Sequence, residues 1–239
     1  MPRANRYFVP GQVYHLTHRC HNRDFLLKFA RDRDAYRTKL RQALVETEVS
    51  LLDYCLTSNH VHLMACAEVP DQISRLMQKV AGGTAQNYNR RKERCGAFWE
   101  DRYHATMVEA GGHFMRCLGY IALQMVRCGV VTHPREWNWC GYQELAGLRE
   151  RYRLIDTERI LEIFGGVSLV DFRRHYEALI QDRIAREEFQ REAQWTQSIA
   201  VGSEAFVRGI ADRIEGRQQL EIASSGEAWI VQEVPVPHA

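Results

Sequence analysis

Thr57-Ser58-Asn59-His60-Val61-His62-Leu63-Met64 places turn-forming residues directly before a segment that alternates histidine with apolar side chains. The flanking pattern predicts that residues 49–56 and 60–67 are two strands of a β-hairpin. Side chains alternate between the faces of a strand, so His60 and His62 share one face and Val61 and Leu63 the other. Two imidazoles on one face form a candidate pair of metal ligands.

A histidine pair of this kind can also consist of one core residue and one surface residue. Its position at the start of a strand, in a basic part of the chain, favours metal binding. Neutral imidazole suits Zn, Mn, Ni or Cu, and an amide or water oxygen as third ligand moves the choice toward Mg or Mn. An open site would let the metal polarise a phosphoryl oxygen.

A second candidate group is Tyr120-Ile121-Ala122-Leu123-Gln124. A helix is predicted from the Gly111-Gly112 break through Cys128, where Gly129 stops it. In that helix Tyr120 and Gln124 are neighbours one turn apart. Gln124 could offer its carbonyl oxygen to the metal, and a dication near Tyr120 would favour the phenolate, which attacks phosphorus. The structural alternative is a packed tyrosine ring and an ordinary helical glutamine.

The bulk composition is that of a globular protein with one large domain, or one domain and an extension: 239 residues, of which 45% are hydrophobic. No apolar run approaches 18 residues and the first residues do not resemble a signal peptide, so no membrane association is expected. The seven cysteines contain no Cys-x-x-Cys and are interpreted as reduced thiols of a cytoplasmic protein.

Charge is distributed unevenly along the chain. Residues 1–128 contain 19 Lys and Arg against 12 Asp and Glu, a net charge of +7. Residues 129–239 contain 13 against 18, a net charge of −5. The basic part includes the histidine pair, and basic surface attracts phosphate backbones, which favours a nucleic-acid partner.

The remaining pattern predicts an α+β domain, a mostly antiparallel sheet with helices packed on it. The predicted elements are a strand at 13–18, a helix at 29–48, a helix at 71–92 that Gly82-Gly83 interrupts, and a strand at 102–109. Later helical stretches are expected at 157–164, 169–195 and 203–215. We therefore divide the chain into a domain at 7–131, a helical extension at 132–217 and a flexible tail at 218–239.

Several segments, in order, resemble the REP-associated branch of the single-tyrosine, HUH-type, insertion-sequence-200-like transposases. His60-Val61-His62 resembles their histidine-hydrophobe-histidine motif, and the other similar segments are 13–19, 74–78, 88–91, 98–103 and 120–129. The resemblance covers residues 7–145. It implies a ferredoxin-like HUH endonuclease fold and a Mg²⁺- or Mn²⁺-dependent enzyme. Such enzymes cleave and rejoin single-stranded DNA near palindromic hairpins through a 5′-phosphotyrosine.

The resemblance also implies roles for individual residues. His60 and His62 match the two histidine ligands, Tyr120 matches the nucleophile, and Gln124 matches the third ligand. The branch usually carries Asn-Pro at 124–125, whereas this chain carries Gln-Met; Gln is familiar at this position from related insertion-sequence transposases. The loss of proline predicts a straighter helix, because Met125 supplies the N–H that proline lacks.

Basic residues near these motifs are candidates for DNA binding. They are Arg19, Arg23, Arg90, Arg91, Lys92, Arg94 and Arg102. The run at 90–94 can alternatively be a solvated helix end. Trp99 and Tyr103 could stack on bases, but core packing is favoured for both. The sequence leaves open whether one chain acts alone or a homodimer forms with active sites in trans.

Three alternatives compete with an active transposase. The first is a domesticated protein that binds hairpin DNA without cleaving it, and the intact set of predicted site residues argues against it. The second is a small-molecule metallohydrolase, which the basic charge disfavours. The third is a zinc site built from His15, His18, Cys20 and His21, whose spacing fits no standard structural site.

Overall fold

The computed structural model of the protein describes residues 6–214 and 219–234. The strands are β1 Val13–Arg19, β2 Ser50–Leu56, β3 His60–Cys66, β4 His104–Val108, β5 Ala200–Gly202, β6 Leu220–Ser225 and β7 Ala228–Glu233. The longer helices are α1 Ala30–Thr47, α2 Pro70–Arg91, α3 Gly112–Ala122, α6 Thr157–Ile163, α7 Leu169–Ala185 and α9 Glu204–Ile214. Single helical turns are α4 Gln124–Arg127, α5 Tyr142–Leu145 and α8 Gln194–Gln197.

The strands form a seven-stranded sheet in the order β2-β3-β1-β4-β5-β7-β6. Only the β4–β5 pair is parallel among the described strands, so the predicted α+β fold with a mostly antiparallel sheet and a helical extension is confirmed. The predicted hairpin is β2–β3, joined by the turn at 57–59. In the register, His62 lies opposite Thr17 of β1.

Helices and loops cover both faces of the sheet, and the side chains of β1 contact them on each side. His18 faces α1 and α2, where its ring stacks on Trp99 with centroids 4.1 Å apart. The Trp99 indole N–H in turn donates to the Ala81 carbonyl of α2 at 3.0 Å. His15 points to the other face, toward Tyr120 of α3 and the backbone of Trp195 in α8. Alternation along one strand therefore separates the His18 ring, which packs on Trp99, from the His15 ring, which faces Tyr120.

Helix α2 runs through Gly82 and Gly83 without a break, so the predicted interruption is wrong. A Cβ atom at Gly83 would lie 3.3 Å from Cδ of Lys39 on α1. The glycine thus allows α1 and α2 to approach closely, and tertiary packing outweighs its low helix propensity.

The predicted single helix through Cys128 is also wrong, because here the structure has an interruption that the sequence did not predict. Helix α3 ends at Ala122 and α4 begins at Gln124. The interruption is at Leu123 (φ −83°, ψ 6°), although the chain has no proline there. The side-chain amide of Gln124 donates to the Tyr120 carbonyl at 3.1 Å. Helical backbone hydrogen bonds still span the interruption, from the Leu123 N–H to the Gly119 carbonyl (3.1 Å) and from the Arg127 N–H to the Leu123 carbonyl (2.9 Å).

The extension continues the sheet at both ends. Residues 139–156 run beside the free edge of β2, where Leu56 N–H donates to the Trp139 carbonyl (2.9 Å) and Gly141 N–H to the Tyr54 carbonyl (2.7 Å). At the other end, β5 pairs with β4 and carries β7 and β6.

The predicted flexible tail is wrong for residues 219–234, which form the β6–β7 hairpin on β5. Val231, on β7, is fully buried and pairs with Ala200. Gly226 occupies the turn with φ +62°, a conformation that glycine adopts readily. Residue 218 and residues 235–239 of that prediction lie outside the described residues. Within the described ranges, no helix is both long and apolar enough to cross a membrane.

Candidate active site

The β2–β3 hairpin places His60 and His62 on one face of the sheet, as alternation predicts. Their ring centroids are 4.9 Å apart. His62 is buried, while His60 is partly exposed at the end of the strand. The turn before β3 and the strand itself therefore bring two imidazoles to one point.

A chain of hydrogen bonds fixes the tautomer of His62. The Trp195 carbonyl can only accept, so Nδ1 of His15 carries a proton and donates to it at 2.7 Å. Burial lowers the pKa of His15 to about 3, so the ring is neutral and its Nε2 is an acceptor. Nδ1 of His62 then donates to that Nε2 at 2.8 Å. The remaining atom, His62 Nε2, is buried and has no hydrogen-bond partner.

The turn fixes His60 in the same tautomer. Its Nδ1 donates to Oδ1 of Asn59 at 2.7 Å and lies 2.9 Å from Oγ1 of Thr57. The Thr57 hydroxyl donates to the His60 carbonyl at 2.8 Å, so it accepts from the ring. Burial lowers the pKa of His60 to about 4, which leaves a neutral ring with a lone pair on Nε2.

Two neutral imidazoles with lone pairs on Nε2 and hydrogen-bonded Nδ1 atoms have the form of metal-ligating histidines. A buried, unpartnered Nε2 on His62 therefore fits a divalent cation. The described residues contain no cluster of three or more His, Cys, Asp or Glu side chains suited to a metal. The oxygen of buried Gln124 accepts from Arg127, and Gln124 as third ligand stays a prediction.

Tyr120 projects from α3 toward the same imidazoles. Its ring centroid is 5.9 Å from that of His62 and 6.0 Å from that of His15, both in edge-to-face geometry. The guanidinium carbon of Arg127 lies 4.9 Å from the centre of the Tyr120 ring. Although only 3% of Tyr120 is exposed, it borders an open cavity. The structure thus brings together the predicted phenol and histidine pair.

This catalytic cavity has a volume of about 550 Å³ and is lined by both histidines and Tyr120. Four cationic side chains and two acidic side chains also border it: Arg19, Arg102, Arg127, Arg191, Glu100 and Asp101. The excess of guanidinium groups suits a phosphate ligand, because arginine matches phosphate geometry with paired donors.

The predicted DNA-binding residues divide into two groups. Arg19 and Arg102 line the catalytic cavity, and Arg19 and Arg23 line an adjoining groove. In the run at 90–94, Arg91 forms an ion pair with the buried Asp32, and Arg94 donates to Asn89 (3.0 Å) and to the Ala97 carbonyl (2.9 Å).

The other two basic residues of the run, Arg90 and Lys92, are exposed; the Lys92 ammonium lies 5.6 Å from the Phe29 ring. Arg91 and Arg94 thus help to hold the end of α2 in place, and a role of the run in DNA binding stays a prediction.

The geometry of β1 excludes the alternative zinc site. His15 and His18 point to opposite faces of β1, so they cannot converge with Cys20 and His21 on one ion. Trp99 stacks on His18 and Tyr103 is buried, in agreement with the core packing favoured for both.

Sequence reasoning missed four contributors: His15, Arg127, Trp195 and Arg191. Arg127 could have been found, because it lies three residues after Gln124 and seven after Tyr120, on one helical face. His15 shares its face with Thr17, opposite His62, but that register was not readable from the sequence. Trp195 and Arg191 come from the extension, far along the chain, and carry no local signal.

Comparison with known proteins gives a match to one family model and a likeness in fold to one solved structure. Residues 8–124 match the model of the family described as IS200-like transposases. The structure is similar to that of a REP-associated tyrosine transposase bound to a REP hairpin, with 15% sequence identity and a TM-score of 0.53 over 64% of this chain and 90% of that one. This likeness shows a shared fold.

A putative transposase from Deinococcus radiodurans R1 also matches, with 18% identity and a TM-score of 0.36 over 49% of this chain and 92% of that one. Among curated proteins, none matches the chain significantly.

Proposed function

We propose that the protein is a tyrosine transposase of the REP-associated kind, because residues 8–124 match the model of the IS200-like transposase family. It cleaves and rejoins single-stranded DNA near palindromic hairpins. One observation carries the proposal: the Tyr120 ring lies against His62, whose Nε2 is buried without a partner, in a cavity lined by arginines. The fold shared with a hairpin-bound transposase supports a hairpin substrate.

In the proposed reaction, the phenolic oxygen of Tyr120 forms a bond to a DNA phosphorus as the bond to the 3′-oxygen breaks. The phenol loses its proton, the 3′-oxygen gains one, and the DNA remains attached as a 5′-phosphotyrosine. A 3′-hydroxyl of a second strand then attacks the phosphotyrosine and releases Tyr120. Each step breaks one phosphate ester bond and forms another, so no nucleoside triphosphate is required.

The surrounding side chains have distinct tasks in this scheme. Arg19, Arg102 and Arg191 hold the phosphate backbone and offset its charge, and Arg127 orients the Tyr120 ring. His60 and His62, with Gln124 or water, would hold Mg²⁺ or Mn²⁺, which when bound polarises phosphoryl oxygens.

The test is a covalent-adduct assay. A labelled single strand carrying a REP-type hairpin is incubated with the protein and Mn²⁺ and then run on a denaturing gel. Wild type should form a denaturant-resistant protein–DNA adduct, and Tyr120→Phe should not, while both bind the hairpin. Tyr176→Phe is the matched control, because Tyr176 is also fully buried but lies in α7 of the extension.

The other outcomes separate the competing functions. An adduct that persists in Tyr120→Phe would exclude Tyr120 as nucleophile. Cleavage without an adduct would indicate a hydrolase that activates water, and hairpin binding without cleavage would indicate a binding module. His60→Ala should lose cleavage and keep hairpin affinity if His60 is a metal ligand.

A further inference from the structure

A second groove adjoins the catalytic cavity and is not used by the proposed chemistry. Its volume is about 560 Å³, within the range of roughly 300–1,000 Å³ typical of ligand pockets. Arg19, His60 and Arg191 line both depressions, so the groove opens onto the imidazole pair. A strand whose phosphate lies beside Tyr120 and His60 would place a neighbouring nucleotide in this groove.

The groove combines positive charge with exposed apolar surface. Its cationic side chains are Arg19, Arg23, Lys28 and Arg191, and none of the described residues that line it is acidic. Phe25 projects into it with 64% of its surface exposed, although a ring of this size usually contributes to a core. Cations for phosphates and an aromatic face for bases are the two components of single-strand binding sites.

The backbone holds Phe25 in this exposed position. Its neighbours Leu26 and Leu27 are buried, and Leu27 N–H donates to the Ser58 carbonyl at 2.9 Å. On the other side, the Asn59 side-chain amide donates to the Arg23 carbonyl at 3.1 Å. The loop is therefore tied to the turn that carries His60, and its backbone needs no further ordering to present the ring on binding.

We propose that this groove is a subsite for an unpaired nucleobase next to the scissile phosphate, and that the Phe25 ring stacks on that base. The inference rests on the proposed function, since it assumes a single-stranded DNA substrate. It adds a base-binding residue that the histidine and tyrosine motifs do not include. Stacking on one aromatic face accepts any base, so the groove contributes affinity and position without selecting a sequence.

The test compares two fluorescein-labelled probes of equal charge, a 12-nucleotide oligothymidylate and a 12-unit strand of abasic sites. Their affinities are measured by fluorescence anisotropy at one ionic strength, so the ratio isolates the contribution of the bases. Wild type should prefer the oligothymidylate by about 5- to 150-fold, the range expected for stacking of one base. Phe25→Ala should lose most of this preference, and Phe25→Tyr should keep it.

Phe29→Ala is the matched control, because Phe29 is 58% exposed and only four residues away but does not line the groove. It should leave the preference unchanged. An unchanged preference in Phe25→Ala, or a wild type that binds both probes equally, would overturn the inference. The adduct assay decides the proposed function separately, because adduct formation by wild type can coexist with either result.

Discussion

At the scale of single residues, His15 links the extension to the candidate metal ligands. It donates to the Trp195 carbonyl and accepts from His62, which leaves the lone pair of His62 Nε2 directed away from the relay. Partners of this kind hold a ligating imidazole in one tautomer and orientation, and their loss typically weakens metal binding. His15 is thus a positioning residue for the metal ligand.

His15→Ala should lower the affinity for Mn²⁺ by about 10- to 100-fold, because His62 would no longer be held in the Nδ1–H tautomer. Isothermal titration calorimetry on the folded variant measures this. His18→Ala is the control: His18 is a buried histidine on the same strand that also borders the cavity, but its ring stacks on Trp99 and its Nε2 lies 2.7 Å from the Asp101 carbonyl, so it has no contact with His62 in the relay. It should reduce stability and leave Mn²⁺ affinity within about twofold of wild type. Equal losses in the two variants would contradict a specific role for His15.

The site residues that could be predicted are those whose spacing along the chain already places them side by side in a strand or a helix. His60 and His62 are two apart on a strand, and Tyr120 and Gln124 are four apart on a helix, so local periodicity brings each pair together. His15 could not be assigned, because its role depends on a strand register and on a carbonyl of the extension. Backbone carbonyls have no sequence signature, since every residue supplies one.

At the scale of elements, α3 determines where Tyr120 lies. The helix begins after Gly111, whose backbone has φ 79° and ψ −128°. This conformation is unfavourable for residues with a Cβ atom, so the glycine sets the direction in which α3 leaves β4. The neighbouring Gly112 is the first residue of the helix and has no such restriction.

Gly111→Ala should lower the free energy of unfolding by about 1–3 kcal/mol, because alanine must adopt the strained conformation. Gly112→Ala should leave stability unchanged or raise it by up to about 1 kcal/mol. Neither added Cβ would meet another atom within 4 Å, so the difference isolates backbone strain from steric overlap. Urea denaturation of both variants is the measurement. Similar losses at the two positions would show that φ at Gly111 is not the cause.

Elements with strong local patterns were predictable, and those that depend on distant partners were not. The β2–β3 hairpin follows from a turn between two apolar runs. The continuity of α2 through Gly82 and Gly83 depends on Lys39 of α1, and the strands at 220–225 and 228–233 depend on β5 as a neighbour. In each failure, a tertiary contact outweighed the local preference.

At the scale of the whole molecule, one sheet joins the N-terminal domain to the extension through the parallel β4–β5 pair. Several histidines of this domain are buried or partly buried and form no ion pair among the described residues. Burial lowers the pKa of His15 to about 3 and those of His18 and His60 to about 4. An unfolded chain would titrate these groups near 6.5.

Stability should therefore fall as the pH drops below about 6.5, because the unfolded state then binds protons that the native state excludes. The stabilisation is fully present above about pH 6.5 and is lost progressively as the pH falls to the native pKa values, about 4 for His18 and His60 and about 3 for His15. Each histidine contributes a slope that approaches about 1.4 kcal/mol per pH unit.

Urea denaturation at pH 7.5, 6.5, 5.5 and 5.0 measures this slope. His18→Gln should make it shallower, because one titrating group is removed. A free energy of unfolding that stays constant across this range would contradict the prediction, because the native and unfolded states would then bind equal numbers of protons at each pH.

The hydrogen bond between His15 and Trp195 spans 180 residues of the chain. Synthesis on the ribosome proceeds from the N-terminus, so a nascent protein has His60, His62 and Tyr120 before it has the carbonyl that completes the relay. Until the later segment emerges and docks, nothing anchors the outer nitrogen of His15. A growing polypeptide would then hold the proposed site residues in an unfinished arrangement, and the relay would close only after Trp195 has been added and packed.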